Sequence, residues 1–303
     1  MKIVAFFDGR PGHEKQTRGI LKALAALCPL WVEEVHLPQN SWFDNMLLTG
    51  DHFLFANTDL LLGAGTGTHA PMLAAKLRHR LPAVTVMAPD WLWRWAFDLC
   101  FVPIHDGLRP GKNIFQTIGP PTHLTDQGRH EAKRGLILIG GADAKSHDWR
   151  TEEILASVID ILKREHGVTW HISSSPRTPA ATEAVLVGLP ERFPHCRFFP
   201  FQETPAGWVE NEYHSSSQVW VTADSISMVY EALAAGCSLG LIPVPWKKAD
   251  NKFHRSAVYL AEHGYVRLLA DWREGQELRP PPTSLLEARR CAEEIARRWC
   301  PES

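Results

Sequence analysis

The run Val221-Thr222-Ala223-Asp224-Ser225-Ile226-Ser227-Met228-Val229-Tyr230-Glu231-Ala232-Leu233-Ala234-Ala235-Gly236 reads as a strand, a polar turn and a short helix stopped by glycine. A helix opening behind Asp224, Ser225, Ser227 and Met228 leaves backbone N–H groups free to face an anion, and a diphosphate is such an anion. Glu231 follows inside the helix, where a carboxylate flanked by small residues can accept from sugar hydroxyls; the competing reading is an exposed or capping carboxylate. Two further strand ends carry matching chemistry. Ile139-Gly140-Gly141 closes one apolar run ahead of Lys145, and Ser173-Ser174-Ser175-Pro176-Arg177-Thr178 closes the next. Gly140, Gly141, Ser174 and Thr178 are small, and Arg177 or Lys145 would neutralise a diphosphate without a metal.

In the amino-terminal half, Asp8-Gly9-Arg10-Pro11-Gly12-His13-Glu14-Lys15-Gln16 crowds polar groups into a turn that leads into a helix. Gly9 and Gly12 allow close approach of a ligand, Gln16 adds a polar group, and Asp8 or His13 could serve an acceptor hydroxyl; a plain strand-to-helix turn is the alternative. Gly63-Ala64-Gly65-Thr66-Gly67-Thr68 forms a second glycine-rich loop, with Gly65, Gly67 and Thr68 expected to line a cleft. Neither segment is a dinucleotide fingerprint or a Walker loop. His105-Asp106 ends a buried strand, and either side chain could act as general base on a sugar hydroxyl, against the alternative of a capping Asp beside a half-buried His. No D-x-D pair is present, Asp143 and Asp148 being isolated, so neither a metal nor any other cofactor is expected. Lys247 and Lys248 read as a solvated basic turn in the segment running through Ala249 and Asp250 to Arg255.

These groups need a scaffold that brings strand ends together, and the hydrophobic pattern supplies one. Strand and helix signals alternate: Ile3–Phe7 strand, Gln16–Leu27 helix, Trp31–His36 strand, Asp59–Gly63 strand, Ala70–Arg80 helix, Ala83–Met87 strand, and Phe97–Pro103 strand. A second series runs from Gly135–Ile139 through Thr151–His166, Val168–Ser173, Pro179–Leu186, Val219–Thr222, Ser227–Ala235, Ser238–Pro243 and Phe253–His263 to a last helix, Ser284–Trp299. Such alternation predicts an α/β fold of parallel βαβ units. The 303 residues fit two domains, with a boundary near residue 130 in the turn-rich stretch from Gly119 to Arg129 that includes Asp126 and Gln127. This gives one domain over 1–130 and a second over 131–303, whose last helix can pack back on the first. Trp91, Trp93, Trp95 and Phe97 alternate as one face of an extended segment would.

Composition narrows the partners. A net charge of -2 with scattered basic residues leaves no footprint for nucleic acid. Six separated cysteines, none in a C-x-x-C pair, read as reduced thiols of a cytoplasmic protein. No stretch reaches membrane-spanning length, so only peripheral membrane contact is open.

On these segments the chain resembles the "elongated mitochondria" mitochondrial fission family and its bacterial glycosyltransferase-like relatives. The carriers are Asp8-Gly9-Arg10-Pro11-Gly12-His13-Glu14-Lys15-Gln16, Phe97 to Asp106, Leu138 to Gly141, Ser174 to Pro179 and Val221 to Met228, in that order along nearly the whole chain. The resemblance implies a GT-B-like architecture, with two Rossmann-type domains facing a central cleft, an acceptor site in the first and a nucleotide-sugar donor site in the second. It implies Glu231 as the holder of the donor ribose. Ala223 stands where the family tends to be acidic, Asn211-Glu212-Tyr213 where it has Asn-Pro-Tyr, and Gly65 to Thr68 where it has an Arg-bearing loop. The expected activity is metal-independent transfer from a nucleoside diphosphate sugar to a cell-envelope glycan or lipid-linked acceptor. A nucleotide-sugar epimerase and a non-catalytic membrane-remodelling scaffold are the alternatives.

Overall fold

The computed structural model describes residues 1–37, 52–125, 128–248 and 251–300. Its strands are β1 (Lys2–Phe7), β2 (Trp31–His36), β3 (Leu60–Ala64), β4 (Ala83–Val86), β5 (Leu99–Pro103), β6 (Ile114–Thr117), β7 (Glu131–Leu138), β8 (Thr169–Ser173), β9 (Cys196–Phe199), β10 (Ser216–Thr222), β11 (Ser238–Ile242) and β12 (Arg267–Leu268). The longer helices are α1 (Pro11–Ala25), α2 (Thr66–His79), α3 (Thr151–Arg164), α4 (Ala180–Val187), α5 (Trp208–Ser215), α6 (Ile226–Ala234), α7 (Lys252–Glu262) and α8 (Glu287–Trp299). The chain divides into one unit of Met1–His123 with Leu286–Ser303 and another of Leu124–Leu285. The division therefore falls a few residues before the expected boundary, and α8 belongs to the first unit.

The first unit holds a parallel sheet in the order β2-β1-β3-β4-β5-β6. β3, β4 and β5 are buried at every residue, which their unbroken apolar runs require because helices cover both faces of such a sheet. On one face Ile20, Leu21 and Leu24 of α1 pack with Cys291, Ala292 and Ile295 of α8; on the other Met72, Leu73 and Ala75 of α2 pack with Phe97. The second unit repeats the plan in the order β12-β11-β10-β7-β8-β9. Trp170 and Trp220 are fully buried there, each ring filling the space over a glycine, Gly135 and Gly240 respectively, where a Cβ would come within 2.4 Å. Only a bare backbone on the neighbouring strand admits a ring that close.

Both sheets have a switch point, where successive crossovers leave in opposite directions. It lies between β1 and β3 in the first unit and between β7 and β10 in the second. Loops at the carboxyl ends of such strand pairs part, and that is where open α/β sheets bind ligands.

Three expectations need correction. Trp91 to Ala96 is not a strand: it forms turns and a 3₁₀ segment, Arg94–Ala96, that leaves Trp91, Trp93 and Trp95 exposed and only Phe97 buried. Gly67 and Thr68 are not loop residues but the first turn of α2, which opens after Gly65 because the Thr68 hydroxyl donates to the Gly65 carbonyl. Gly12, His13 and Gln16 likewise lie inside α1, which starts at Pro11, whose missing N–H costs nothing at a first helical position. Asp126, Gln127, Ala249 and Asp250 lie outside the described residues.

Candidate functional site

In the second unit, the loops after β7, β8 and β10 are tied into one structure around the glycine pair. Gly140 N donates to the Thr222 hydroxyl at 2.7 Å and Gly141 N to Asp224 Oδ2 at 3.1 Å. The Arg177 guanidinium meets the same Asp224 oxygen at 2.9 Å and the Gly141 carbonyl at 3.1 Å, while Arg177 O accepts from Ala142 N. Ser175 and Thr178 close the far side by donating their hydroxyls to the Gly140 carbonyl. A Cβ on Gly140 would fall 2.3 Å from the Asp224 carboxylate, and one on Gly141 2.0 Å from the Arg177 backbone. The glycines thus make room for the protein's own groups. Asp224, its side chain only 1% exposed, holds the loops together rather than facing a ligand. Ser174 is also committed, its hydroxyl accepting from Phe201 N.

What remains open around this knot is the start of α6. Ser225 precedes the helix and makes no side-chain cap, and the first backbone bond returning to it comes from Val229 N. Helix geometry therefore leaves the N–H groups of Ile226, Ser227 and Met228 without an intrahelical acceptor. Ser227 is exposed and Ile226 and Met228 are half-buried. The helix dipole adds the equivalent of roughly half a positive charge there. Glu231, one turn on, is buried. Tyr213 lies close by: burial first, and then the Glu231 charge, push its phenol well above the usual range, and its hydroxyl donates to Met228 O.

The neighbouring loop is self-contained. The Lys145 N–H and then the Ser146 hydroxyl hold the Asp143 carboxylate below its usual range. Lys247 Nζ donates to Ala144 O, and Lys247 N to Ser146 O, so this lysine fastens the loop after β11 onto the one after β7. Among the described residues no group of three His, Cys, Asp or Glu side chains could hold a metal ion.

In the first unit, the switch point carries an imidazole held by a carboxylate. His13 Nδ1 lies 2.8 Å from Asp8 Oδ2, both side chains being largely shielded, and Asp8 Oδ1 accepts from Arg10 N. The ring rests on the bare Cα of Gly65, where a Cβ would stand 2.1 Å from Nδ1, and Asp8 packs against Gly67, where a Cβ would stand only 3.0 Å from its side chain. Gly65 has φ 84° and ψ 159°, a conformation essentially restricted to glycine. Two adjacent strand ends, those of β1 and β3, thus interlock Asp8, His13, Gly65 and Gly67. With Asp8 accepting the Nδ1 proton, Nε2 of His13 carries the basic lone pair. Gly9 is exposed at the turn, and Gln16 is half-buried one helical turn after His13.

His105 and Asp106 sit apart from this pair, on a 3₁₀ turn after β5, two strands beyond β3 in the sheet. His105 is buried, and its Nε2 is 3.9 Å from Asp106 Oδ1, beyond hydrogen-bonding reach. His69, which belongs to none of the motifs above, is buried between the Phe97 ring and the Thr85 hydroxyl, 3.2 Å from its Nε2. Burial depresses its pKa to about 4, with the His13 charge lowering it further against the pull of Asp90. Its signal was the histidine opening an apolar helix face. Thr222 and Ser175 also hold the glycine pair, a role that nothing in a single strand end reveals, since it does not tell which hydroxyl turns inward.

With this geometry in hand, comparison places the chain among known proteins. A sequence profile described as mitochondrial fission ELM1 matches residues 11–299. No curated protein matches the sequence significantly. Among solved structures, a Listeria monocytogenes protein provisionally assigned as a UDP-N-acetylglucosamine 2-epimerase superposes with a TM-score of 0.66 at 14% identity, covering 100% of this chain and 97% of that one. MurG of Acinetobacter baumannii gives 0.59 at 14% identity over 99% of each chain. The UDP-GlcNAc 2-epimerase of Neisseria meningitidis, solved with UDP-GlcNAc bound, gives 0.58 at 12% identity over 100% of each. At these identities the likeness establishes the fold, the GT-B type of paired Rossmann-like units.

Proposed function

The chain belongs to the mitochondrial fission ELM1 family, and on that premise we propose that it is a glycosyltransferase drawing on a nucleoside diphosphate sugar without a metal ion. The observation that carries this reading is the open start of α6 at the switch point of the second sheet, beside the knotted loops of Gly140, Gly141 and Arg177. The free N–H groups of Ile226, Ser227 and Met228, with the Ser227 hydroxyl, take the diphosphate. Glu231 accepts from the ribose hydroxyls. As the bond from the sugar to the diphosphate breaks, charge grows on the leaving oxygen, and the helix start and the outer edge of Arg177 stabilise it. Those fixed donors stand in for the divalent cation that many nucleotide-sugar enzymes employ.

The acceptor's hydroxyl proton passes to His13 Nε2, with Asp8 fixing the ring and stabilising the imidazolium. His105 and Asp106 are the alternative base. The acceptor is a cell-envelope glycan or a lipid-linked sugar, reached from the cytoplasm; among the described residues no helix is long and apolar enough to cross a membrane.

Calorimetry of the full chain in EDTA over uridine, guanosine and adenosine diphosphate sugars tests the proposal. Saturable binding of one class, weakened about tenfold or more by Glu231→Ala, is the expected result, since a hydrogen bond to a charged group contributes about 1.5–3 kcal/mol. Absence of binding across the panel overturns it. Isomerisation of the bound donor without any acceptor would instead identify an epimerase.

A further inference from the structure

The crossover from β4 to β5 lacks the α-helix that usually covers such a connection, and a ribbon of exposed aromatics takes its place. We propose that the first unit docks on the surface of an anionic phospholipid bilayer through this ribbon, Trp91 to Trp95. The proposal stands independently of the glycosyltransferase reading.

The ribbon is fixed rather than loose. Trp93 N and Arg94 N both bond to Asp90 O, and Ala96 N bonds to Trp93 O. The Asn113 side-chain amide donates to Arg94 O at 2.9 Å and Phe97 O at 3.2 Å, and Phe97 is buried against the His69 ring. With the backbone so held, the apolar side chains point outward: Trp91 is 71% exposed, Leu92 67%, Trp93 42% and Trp95 81%. Four large apolar side chains exposed within five residues form a patch, which a soluble monomer ordinarily avoids unless the patch meets something. Tryptophan is the side chain that best suits the boundary between headgroups and acyl chains, having an apolar body and an N–H that stays wet.

Charge selects the kind of surface. From Lys76 to Lys112 the chain carries six Lys and Arg against three Asp, in a protein whose net charge is -2. Asp98, one of the three, is already paired with Lys76. On α8, Arg297 and Arg298 share the carboxylate of Glu294, which leaves one positive charge in excess there, and the Arg298 guanidinium also lies against the carbonyls of Asp98 and Lys112. Aromatics flanked by a local excess of cations match an anionic bilayer, where each basic residue near the surface is attracted in addition to the burial of the rings. A second copy of the chain presents the same cations and would repel.

The test uses the full chain with vesicles of phosphatidylcholine alone or with added phosphatidylglycerol, read by sedimentation, and by quenching of tryptophan fluorescence with brominated acyl chains. Expected are partition onto the anionic vesicles only, quenching of the wild-type protein, and partition weakened about tenfold or more by Trp91→Ser with Trp95→Ser at an unchanged melting temperature. The wild-type quenching decides the matter should that variant fold poorly. Equal sedimentation with both lipids, no quenching, or undiminished binding of a folded double variant overturns the proposal. So does a wild-type dimer that the double variant dissociates, which would make a second copy the occupant of the face.

Discussion

Replacing Asp224 with alanine removes a side chain of the loop after β10 that touches the loops after both β7 and β8. The structure sets the size of the effect. The carboxylate accepts from Gly141 N, a buried charge-assisted bond of about 1.5–3 kcal/mol, and its loss leaves that N–H without its partner. The ion pair with Arg177 contributes less, about 1 kcal/mol at most, because that guanidinium is 44% exposed and screened by water. Against these stands a gain: Asp224 Oδ1 is buried with no hydrogen-bond partner, so deleting the carboxylate removes a poorly solvated charge. The balance is a loss of roughly 1–3 kcal/mol. At about 2–4 °C per kcal/mol for a unit of this size, the melting transition falls by roughly 2–12 °C. Asp224→Asn, which keeps an acceptor for Gly141 N, should lose less than half as much. Scanning calorimetry of the three proteins reads this directly, and nucleotide titration should show weakened binding in the same order. An Asp224→Ala protein that melts within a degree of wild type would refute the view that this carboxylate ties the loops.

Gly65→Ala places a methyl 2.1 Å from His13 Nδ1 at φ 84°, so strain and displacement of the ring should together cost about 2–4 kcal/mol, seen as a lower urea midpoint. His69 makes stability depend on acid: its folded pKa lies near 4 against a usual 6.5, so between those values the unfolded chain binds a proton the folded chain refuses. Stability should therefore fall by up to about 3 kcal/mol as pH drops from 6.5 to 4, and the slope should flatten in His69→Gln; an unchanged slope in urea titrations would remove His69 from the account. Asp8→Asn should slow sugar transfer by about a hundredfold while leaving nucleotide affinity unchanged, because it disturbs the imidazole and not the diphosphate; a parallel loss of affinity in calorimetry would argue otherwise.

The paired sheets were legible because their strands are unbroken apolar runs separated by amphipathic helices, a pattern that physics leaves few ways to fold. β6, β9, β12 and α5 carry no such signal: Ile114–Thr117, Cys196–Phe199 and Arg267–Leu268 are short strands at a sheet edge, and Trp208–Ser215 is too polar to show a period. The Trp91 to Phe97 alternation misled because two-residue spacing marks a strand only where one face is buried, and here only Phe97 is. The α2 start hid behind Gly65-Thr66-Gly67-Thr68, a sequence that reads as loop until the Thr68 hydroxyl is seen returning to Gly65 O. At the candidate site the residue types were readable, and their division of labour was not. Asp224, Arg177 and Ser174 have the chemistry of ligands, yet their partners on neighbouring strand ends, Gly141 and Phe201 among them, are set by sheet order, which local sequence does not contain.

The most direct measurement is a crystal structure of the full chain with the nucleoside diphosphate that binds it, grown without divalent cations. Phosphate density is expected at the N–H groups of Ile226, Ser227 and Met228, with the ribose hydroxyls on Glu231. Diphosphate bound elsewhere with the start of α6 left bare, or phosphates bridged to the protein only through a metal ion, would contradict it.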